Sequence, residues 1–337
     1  MATPTALSDG ARALILLCSS VVAARGEEAR PFGPRMWAKL QTRLDEHGVG
    51  VAELLGMSAS AIDARLGVGA VEADRIACLL ARTGQLAFEL DRLAARGIGA
   101  MTLADDAYPT RFLIRLGPDA PPVLFVAGDR AILGAGGVAI VGSRDVDPVS
   151  AAFAEAVAAA AAHDGKPVVS GGARGVDQLA MRAAFEAGGR VAGLLPEGIE
   201  GRLRDGATRT AVAEGLAVLA SPYHPGAGFS AGAAMARNKL IYALSDVAVV
   251  VASAAGSGGT WTGAVEALEA GWVPVLVRRS NPMPDGNRQL IERGALPLDE
   301  PLLPDLSSLP APTDRRRARQ VAEEPSPYEQ QSLKLVD

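Results

Sequence analysis

Two arginines stand where a short apolar run gives way to glycine: Arg144 in VAIVGSRDVDP (138–148) and Arg174 in VVSGGARGVD (168–177). A third glycine turn, GSGGTWT (256–262), follows DVAVVVASAA and carries no cation. Glycine permits positive φ and lets a ligand approach the backbone closely. A helix opening after such a turn offers unpaired N–H groups and a partial positive charge. Serine and threonine hydroxyls add donors, and a guanidinium adds a permanently charged fork matched to phosphate. The chemistry these residue types can do together is to hold an anion. The candidates are Gly142, Ser143 and Arg144 in the first loop, Ser170, Gly171, Gly172, Ala173, Arg174 and Gly175 in the second, and Ser257, Gly258, Gly259 and Thr260 in the third. A helical segment, AGAAMARNKLIYALSD (231–246), adds Arg237, Asn238 and Lys239 directly before a strand. Each feature alone has a plain structural alternative: a tight turn, an arginine capping a helix end, a solvated helix face. Their joint occurrence in one chain favours phosphate.

Such loops work only if one scaffold brings them to one place. From about residue 98 short apolar runs alternate with Ala-rich helical stretches: VLFVAG, VAIVG, PVVSG, RVAGLL, LAVLAS, DVAVVVAS and VPVLVR. Runs apolar at every position are strands buried on both faces, and helix-length spacers imply parallel crossovers. This predicts an α/β, doubly wound, mostly parallel Rossmann-like sheet, whose ligands gather beyond the carboxyl ends of the strands. Residues 1–97 read as a small helical domain, 98–301 as the Rossmann-like domain, and 302–337, rich in proline and charge, as a disordered tail with a basic cluster at Arg315–Arg319. LGVGAVEADRIACLLA offers a G-x-G ahead of a helix, as helix-hairpin-helix DNA modules do, but lacks a basic flank and reads as a packing turn.

Composition narrows the function classes. The chain has 337 residues, 49% hydrophobic and 4% aromatic, with a net charge of −5, so any anion site is local rather than a global basic field. Cys18 and Cys78 form no disulfide framework and suit a reduced cytoplasmic interior. ALILLCSSVVAA (13–24) has the length of a signal-peptide core but reads as a buried first helix, and no run reaches a membrane span. His47, His163 and His224 lack metal-ligand spacing, and no cofactor is expected. No nucleophile elbow, G-x-G-x-x-G fingerprint or Walker lysine is present; Asp177 and Glu266 are the best-placed acids.

With these segments in order, the chain resembles the DNA-processing protein A family (DprA, also called Smf) over roughly residues 97 to 297. The resemblance rests on RGIGAMTLADDAYPTRFLIRL, VAIVGSRDVDP, VVSGGARGVD, ARNKLIYALSDVAVVV, the SGGT turn and DGNRQLIERGA. It implies a non-enzymatic homodimer that binds single-stranded DNA, protects incoming strands and helps to load the RecA recombinase during natural transformation. It also implies that the GSR loop, the SGGARG loop and the R-N-K helix form the DNA pocket. Gly172 stands where the family has leucine, Met181 where histidine is common, and Lys239 where arginine ends the helix motif. LLPEGIEGRLRDGATRTAV also departs from the family pattern, and the tail carries no winged helix. Two other readings remain: a nucleotide-binding or phosphoribohydrolase-like protein with Glu266 as its acid, and a DprA-like accessory factor in plasmid or phage-defence biology.

Overall fold

The computed structural model describes residues 7–22, 29–303, 305 and 309. The tail from 310 onward, with the Arg315–Arg319 cluster, lies outside the described residues. Five helices come first: α1 (Asp9–Cys18), α2 (Pro34–Glu46), α3 (Ala59–Leu66), α4 (Ala70–Leu80) and α5 (Thr83–Ala94). Ser8 caps α1 by accepting from Ala11 N–H, and Leu14, Ile15, Leu16 and Leu17 are buried, as expected of a core helix. The helix is shorter than its apolar run. Both the N–H and the hydroxyl of Ser19 turn back to the Ile15 carbonyl and end it there. α4 and α5 are separated just before Thr83-Gly84, a pair of poor helix formers. Gly67 (φ 60°) and Gly69 (φ 85°) make the sharp turn from α3 to α4, and the Asp63 carboxylate accepts from the Gly69 N–H at 2.7 Å.

Nine strands come next: β1 (Gly99–Thr102), β2 (Val123–Gly128), β3 (Val138–Val141), β4 (Val168–Ser170), β5 (Val191–Leu194), β6 (Ala217–Ser221), β7 (Val247–Val250), β8 (Val275–Arg278) and β9 (Leu296–Leu298). They form one sheet in the order β1-β2-β6-β5-β4-β3-β7-β8-β9. β1–β2 and β2–β6 pair antiparallel and every other pair is parallel. The seven strands expected from apolar runs are all present. β1 and β9 are additional edge strands, too short and too polar or proline-broken to stand out; Pro297 is tolerated because an edge strand need not donate on both sides.

Helices sit on both faces: α6 (Thr110–Leu116), α7 (Ala131–Ala135), α8 (Pro148–His163), α9 (Val176–Glu186), α10 (Ile199–Arg202), α11 (Gly206–Ala213), α12 (Ala231–Leu244), α13 (Gly258–Ala270) and α14 (Asp285–Glu292). The period of two along each strand divides the core. Val138, Ile140, Val168, Val191, Val247 and Val249 face α8 and α9, while Ala139, Val141, Val169, Ala192, Ala248 and Val250 face α12 and α13. Because both faces are covered, the strands are apolar throughout.

The chain winds from β3 through β4 and β5 to β6 on one side, then returns to place β7, β8 and β9 on the other. β3 and β7 therefore flank the topological switch point, where the loops following adjacent strands diverge and leave a crevice. The N-terminal helices do not close on themselves. Leu14, Trp37, Leu54, Ile76 and Leu93 share one core with Val123, Phe125 and Leu219 of the sheet and with Leu195 and Ile199. A chain beginning at residue 98 is accordingly expected to expose the Phe125–Leu219 face and to aggregate on purification. A soluble truncated chain with the melting temperature of the full protein would show instead that residues 1–97 are an independent unit.

Candidate functional site

The loops after β3 and β4 are knitted backbone to backbone. Val176 N–H donates to the Ser143 carbonyl at 3.2 Å. A Cβ on Gly175 (φ 88°) would lie 2.3 Å from that same oxygen, and one on Gly142 would lie 2.6 Å from Val176 Cγ2. A larger residue at 175 would have to displace the backbone of Ser143 and Arg144, and one at 142 the Val176 side chain. Inside the second loop the Asp177 carboxylate accepts from the N–H groups of Gly171 at 3.1 Å and Ala173 at 3.4 Å. Burial raises its pKa, while the nearby Arg237 charge and these two N–H groups act the other way. Arg237 donates through Nη1 to the Gly171 carbonyl at 2.9 Å and to the Leu194 carbonyl, joining the ends of β4 and β5. It is only 3% exposed, and burial pushes its guanidinium below the usual range.

The third loop closes the crevice. Thr260 Oγ1 donates to the Gly142 carbonyl at 3.0 Å, and Asn238 Nδ2 donates to the Gly259 carbonyl at 3.0 Å. The N-terminus of α13 is thereby fixed over the end of β3. Between these loops and α12 lies a cavity of about 430 Å³, lined among others by Gly142, Ser143, Arg144, Ala173 and Asn238, with Ser257, Gly258, Gly259 and Thr260 at the α13 end.

A second, more open depression of about 890 Å³ adjoins it and shares Arg144; Asp145, Asp147, Arg174, Gly175, Gln178 and Arg182 complete its cationic and acidic lining. Arg174 is 72% exposed and meets Asp145, 89% exposed, at 2.6 Å. An exposed pair of this kind is worth little and is readily exchanged for another anion. Asp147 instead caps α8 by accepting from Ser150, and those bonds hold its carboxyl below the usual range. Arg144 lies over the ring of Phe229, 5.9 Å from its centroid, and Phe229 is 58% exposed.

The expected residues thus fall into separate groups. Gly142, Ser143, Arg144, Ala173, Asn238 and Ser257–Thr260 line the cavity, and Arg174 and Gly175 line the adjoining groove. Ser170, Gly171 and Gly172 shape the rim rather than present groups to a ligand: all three are buried, Ser170 Oγ donates to the Ile140 carbonyl at 2.8 Å, and Gly172 offers its carbonyl to Arg202. Lys239 is elsewhere, 3.8 Å from Asp119 in a separate cleft beside Arg35 and Tyr223. Three consecutive residues on a helix point about 100° apart, so Arg237, Asn238 and Lys239 cannot all address one ligand. Glu266 is exposed on α13 and does not line the cavity.

Sequence reasoning missed Arg182 and Gln178. Their four-residue spacing within VDQLAMRAAFE, in step with Arg174, is the signal that places them along one face. Phe229 and Tyr242 carry no such signal, since each meets the site only across the fold. Among the described residues no cluster of histidine, cysteine, aspartate or glutamate could hold a metal ion, and no helix is long and apolar enough to cross a membrane.

The chain is a doubly wound Rossmann-like α/β protein with glycine loops and guanidinium groups gathered at its switch point. The family described as DNA recombination-mediator protein A matches residues 99–302, and the chain belongs to that family. It is 29% identical over 206 residues to DNA processing protein DprA of Bacillus subtilis (strain 168), covering 59% of this chain and 68% of the relative. Its fold is similar to that of DNA processing protein A from Streptococcus pneumoniae, with a TM-score of 0.58 at 22% identity over 80% of this chain and 96% of the other. DNA processing protein A from Helicobacter pylori, described for a unique single-stranded DNA binding mode, aligns with a TM-score of 0.50 at 28% identity over 60% of this chain and 92% of the other.

The division of labour between the arginines is measurable. Arg237→Ala removes a buried cation that holds two strand ends and should cost about 3 kcal/mol in urea unfolding. Arg144→Ala, at an exposed position, should stay within about 0.5 kcal/mol of the parent.

Proposed function

We propose that this protein binds single-stranded DNA along the groove formed by Arg144, Arg174 and Arg182. The observation that carries the reading is the convergence of Arg144 and Arg174 on one open groove at the switch point, with an exposed aromatic ring beside the first of them. Single strands are held by cations that track the backbone and by aromatic faces on which unpaired bases stack. The groove supplies the first and Phe229 the second. Family membership and the H. pylori relative's described binding mode support the same ligand.

Asp145 is a built-in competitor in this scheme. It occupies Arg174 until a phosphate replaces it, which keeps the groove from holding weaker anions. In the cell the protein acts without catalysis, as a cytoplasmic homodimer that protects incoming strands and helps to load RecA during DNA uptake. The family relationship supports this wider role; the groove geometry supports the strand contact.

Fluorescence anisotropy with labelled oligonucleotides tests the contact. Arg144→Ala and Arg174→Ala should each weaken binding to every single-stranded sequence and reduce the slope of log K against log salt by about 0.7. Phe229→Ala should cost about 1–3 kcal/mol in affinity. Asp145→Asn should tighten binding, most visibly at low salt, by removing both the competitor and a like charge facing phosphate. Unchanged binding in both arginine variants would remove the groove from consideration.

A further inference from the structure

The loop that carries Arg174 is held from two sides. Asp177 and Arg237 tie down Gly171 and Ala173 from one of them. From the other, Arg202 Nη2 donates to the Gly172 carbonyl at 3.2 Å. Two consecutive glycines have more backbone freedom to lose than any other pair, so they stay in one conformation only if something fixes them. Packing does little of this at Gly172 (φ 67°): a Cβ there would meet only Leu195 Cδ2 at 3.8 Å and Arg202 Nη2 at 3.9 Å. The direction of the Arg202 fork is set in turn by Glu197, whose Oε1 accepts from Arg202 Nε at 2.7 Å. A guanidinium is planar, so fixing Nε also fixes where Nη2 points.

Arg202 ends α10, a helix of only four residues that needs outside support. It has it. Gly198 N–H donates to the Ala227 carbonyl at 2.9 Å, and Glu200 N–H donates to the Pro225 carbonyl at 3.0 Å. Ser221 Oγ donates to the Glu197 carbonyl at 2.8 Å. The Glu200 carboxylate is gripped by Arg92 of α5 at 2.8 Å and by Arg96, just beyond that helix, at 2.9 Å. Ile199 is buried in the core that the N-terminal helices share with the sheet. A braced segment thus presents one half-buried arginine to the loop two residues before Arg174. Arg202 itself lines neither the groove nor the cavity.

We propose that Arg202 is a positioning residue for strand binding: by holding the Gly172 carbonyl it keeps the loop in the conformation that turns Arg174 into the groove, without touching the strand. The proposal rests on the strand-binding role proposed for the groove. Its energetic basis is preorganisation. A loop already ordered in the free protein does not have to be ordered when the strand arrives, so the contact made by Arg174 is retained in the affinity.

The test is a double-mutant cycle on the full chain, read by anisotropy of a labelled oligothymidylate. Arg202→Ala should weaken binding roughly three- to tenfold. Added to Arg174→Ala, the same substitution should change neither the affinity nor its salt slope, because the side chain it positions is gone. Equal losses in both backgrounds would overturn the proposal, since Arg202 would then meet the strand directly. So would an unchanged affinity in the parent background, as a merely structural role lowers the melting temperature and spares the folded protein's affinity. Arg202→Ala also strips Glu197 of its partner. Arg202→Met combined with Glu197→Gln leaves no orphaned carboxylate and should show the same loss. Hydrogen exchange at the amides of residues 172–175, measured without DNA, reads the loop itself. Both variants should speed it roughly three- to tenfold, and unchanged exchange would count against the proposal as heavily as unchanged affinity. Parent protein that binds no oligothymidylate fails the groove reading, whatever the exchange rates. Parent protein that binds, with Arg202→Ala binding equally well, fails this proposal alone.

Discussion

A buried cation, Arg237, organises the carboxyl ends of β4 and β5. Arg237 reaches from α12 to the carbonyls at the ends of β4 and β5, and its charge helps to hold Asp177 as an acceptor for the N–H groups of Gly171 and Ala173. A guanidinium taken out of water is expensive unless its protons find oxygens and its charge finds a counter-charge. Here carbonyls and a carboxylate provide both. The consequence is geometric. With Gly171 and Ala173 tied inward, the next residue, Arg174, is turned outward, and Gly175 is driven against Ser143 so closely that only glycine fits. The outward arginine is a consequence of the inward one.

That arrangement gathers cations at one edge of an acidic protein. The net charge is −5, yet the cations of the groove are concentrated on two loops and the first turns of one helix. Acids sit among them with different duties. Asp147 is committed to capping α8, and Asp177 is committed to the loop backbone, whereas Asp145 is exposed to solvent and holds Arg174 through an exchangeable contact. Solvent screening makes the last of these weak and the first two durable. The rim is thus rigid in its backbone and adaptable at its charged tips.

Two adjoining depressions lie along this edge. The open groove carries long cations, with the exposed ring of Phe229 beneath one of them, Arg144. The cavity behind it is bounded by α12 and the start of α13, and its depth comes from a double tether: Thr260 to Gly142 and Asn238 to Gly259. Arg144 lines both depressions. The separate cleft lined by Arg35, Asp119 and Lys239 belongs to the seam between the N-terminal helices and the sheet.

Much of this was readable before folding, and the boundary is set by the range of the interactions. Apolar runs with helical spacers identify strands buried on two faces, because that pattern is set by local periodicity and burial. Glycines next to Arg144 and Arg174 mark strand-to-helix turns for the same local reason. Triplets and pairs proved less transparent. Arg237, Asn238 and Lys239 look alike in the chain, yet helical geometry sends the first into the core, the second to the cavity and the third to Asp119. Phe229 reaches Arg144 from far along the chain, and the N-terminal helices merge with the sheet's core instead of standing apart. Which side chain becomes a tether and which becomes a ligand contact depends on desolvation and on partners distant in sequence, and only the packed molecule sets those.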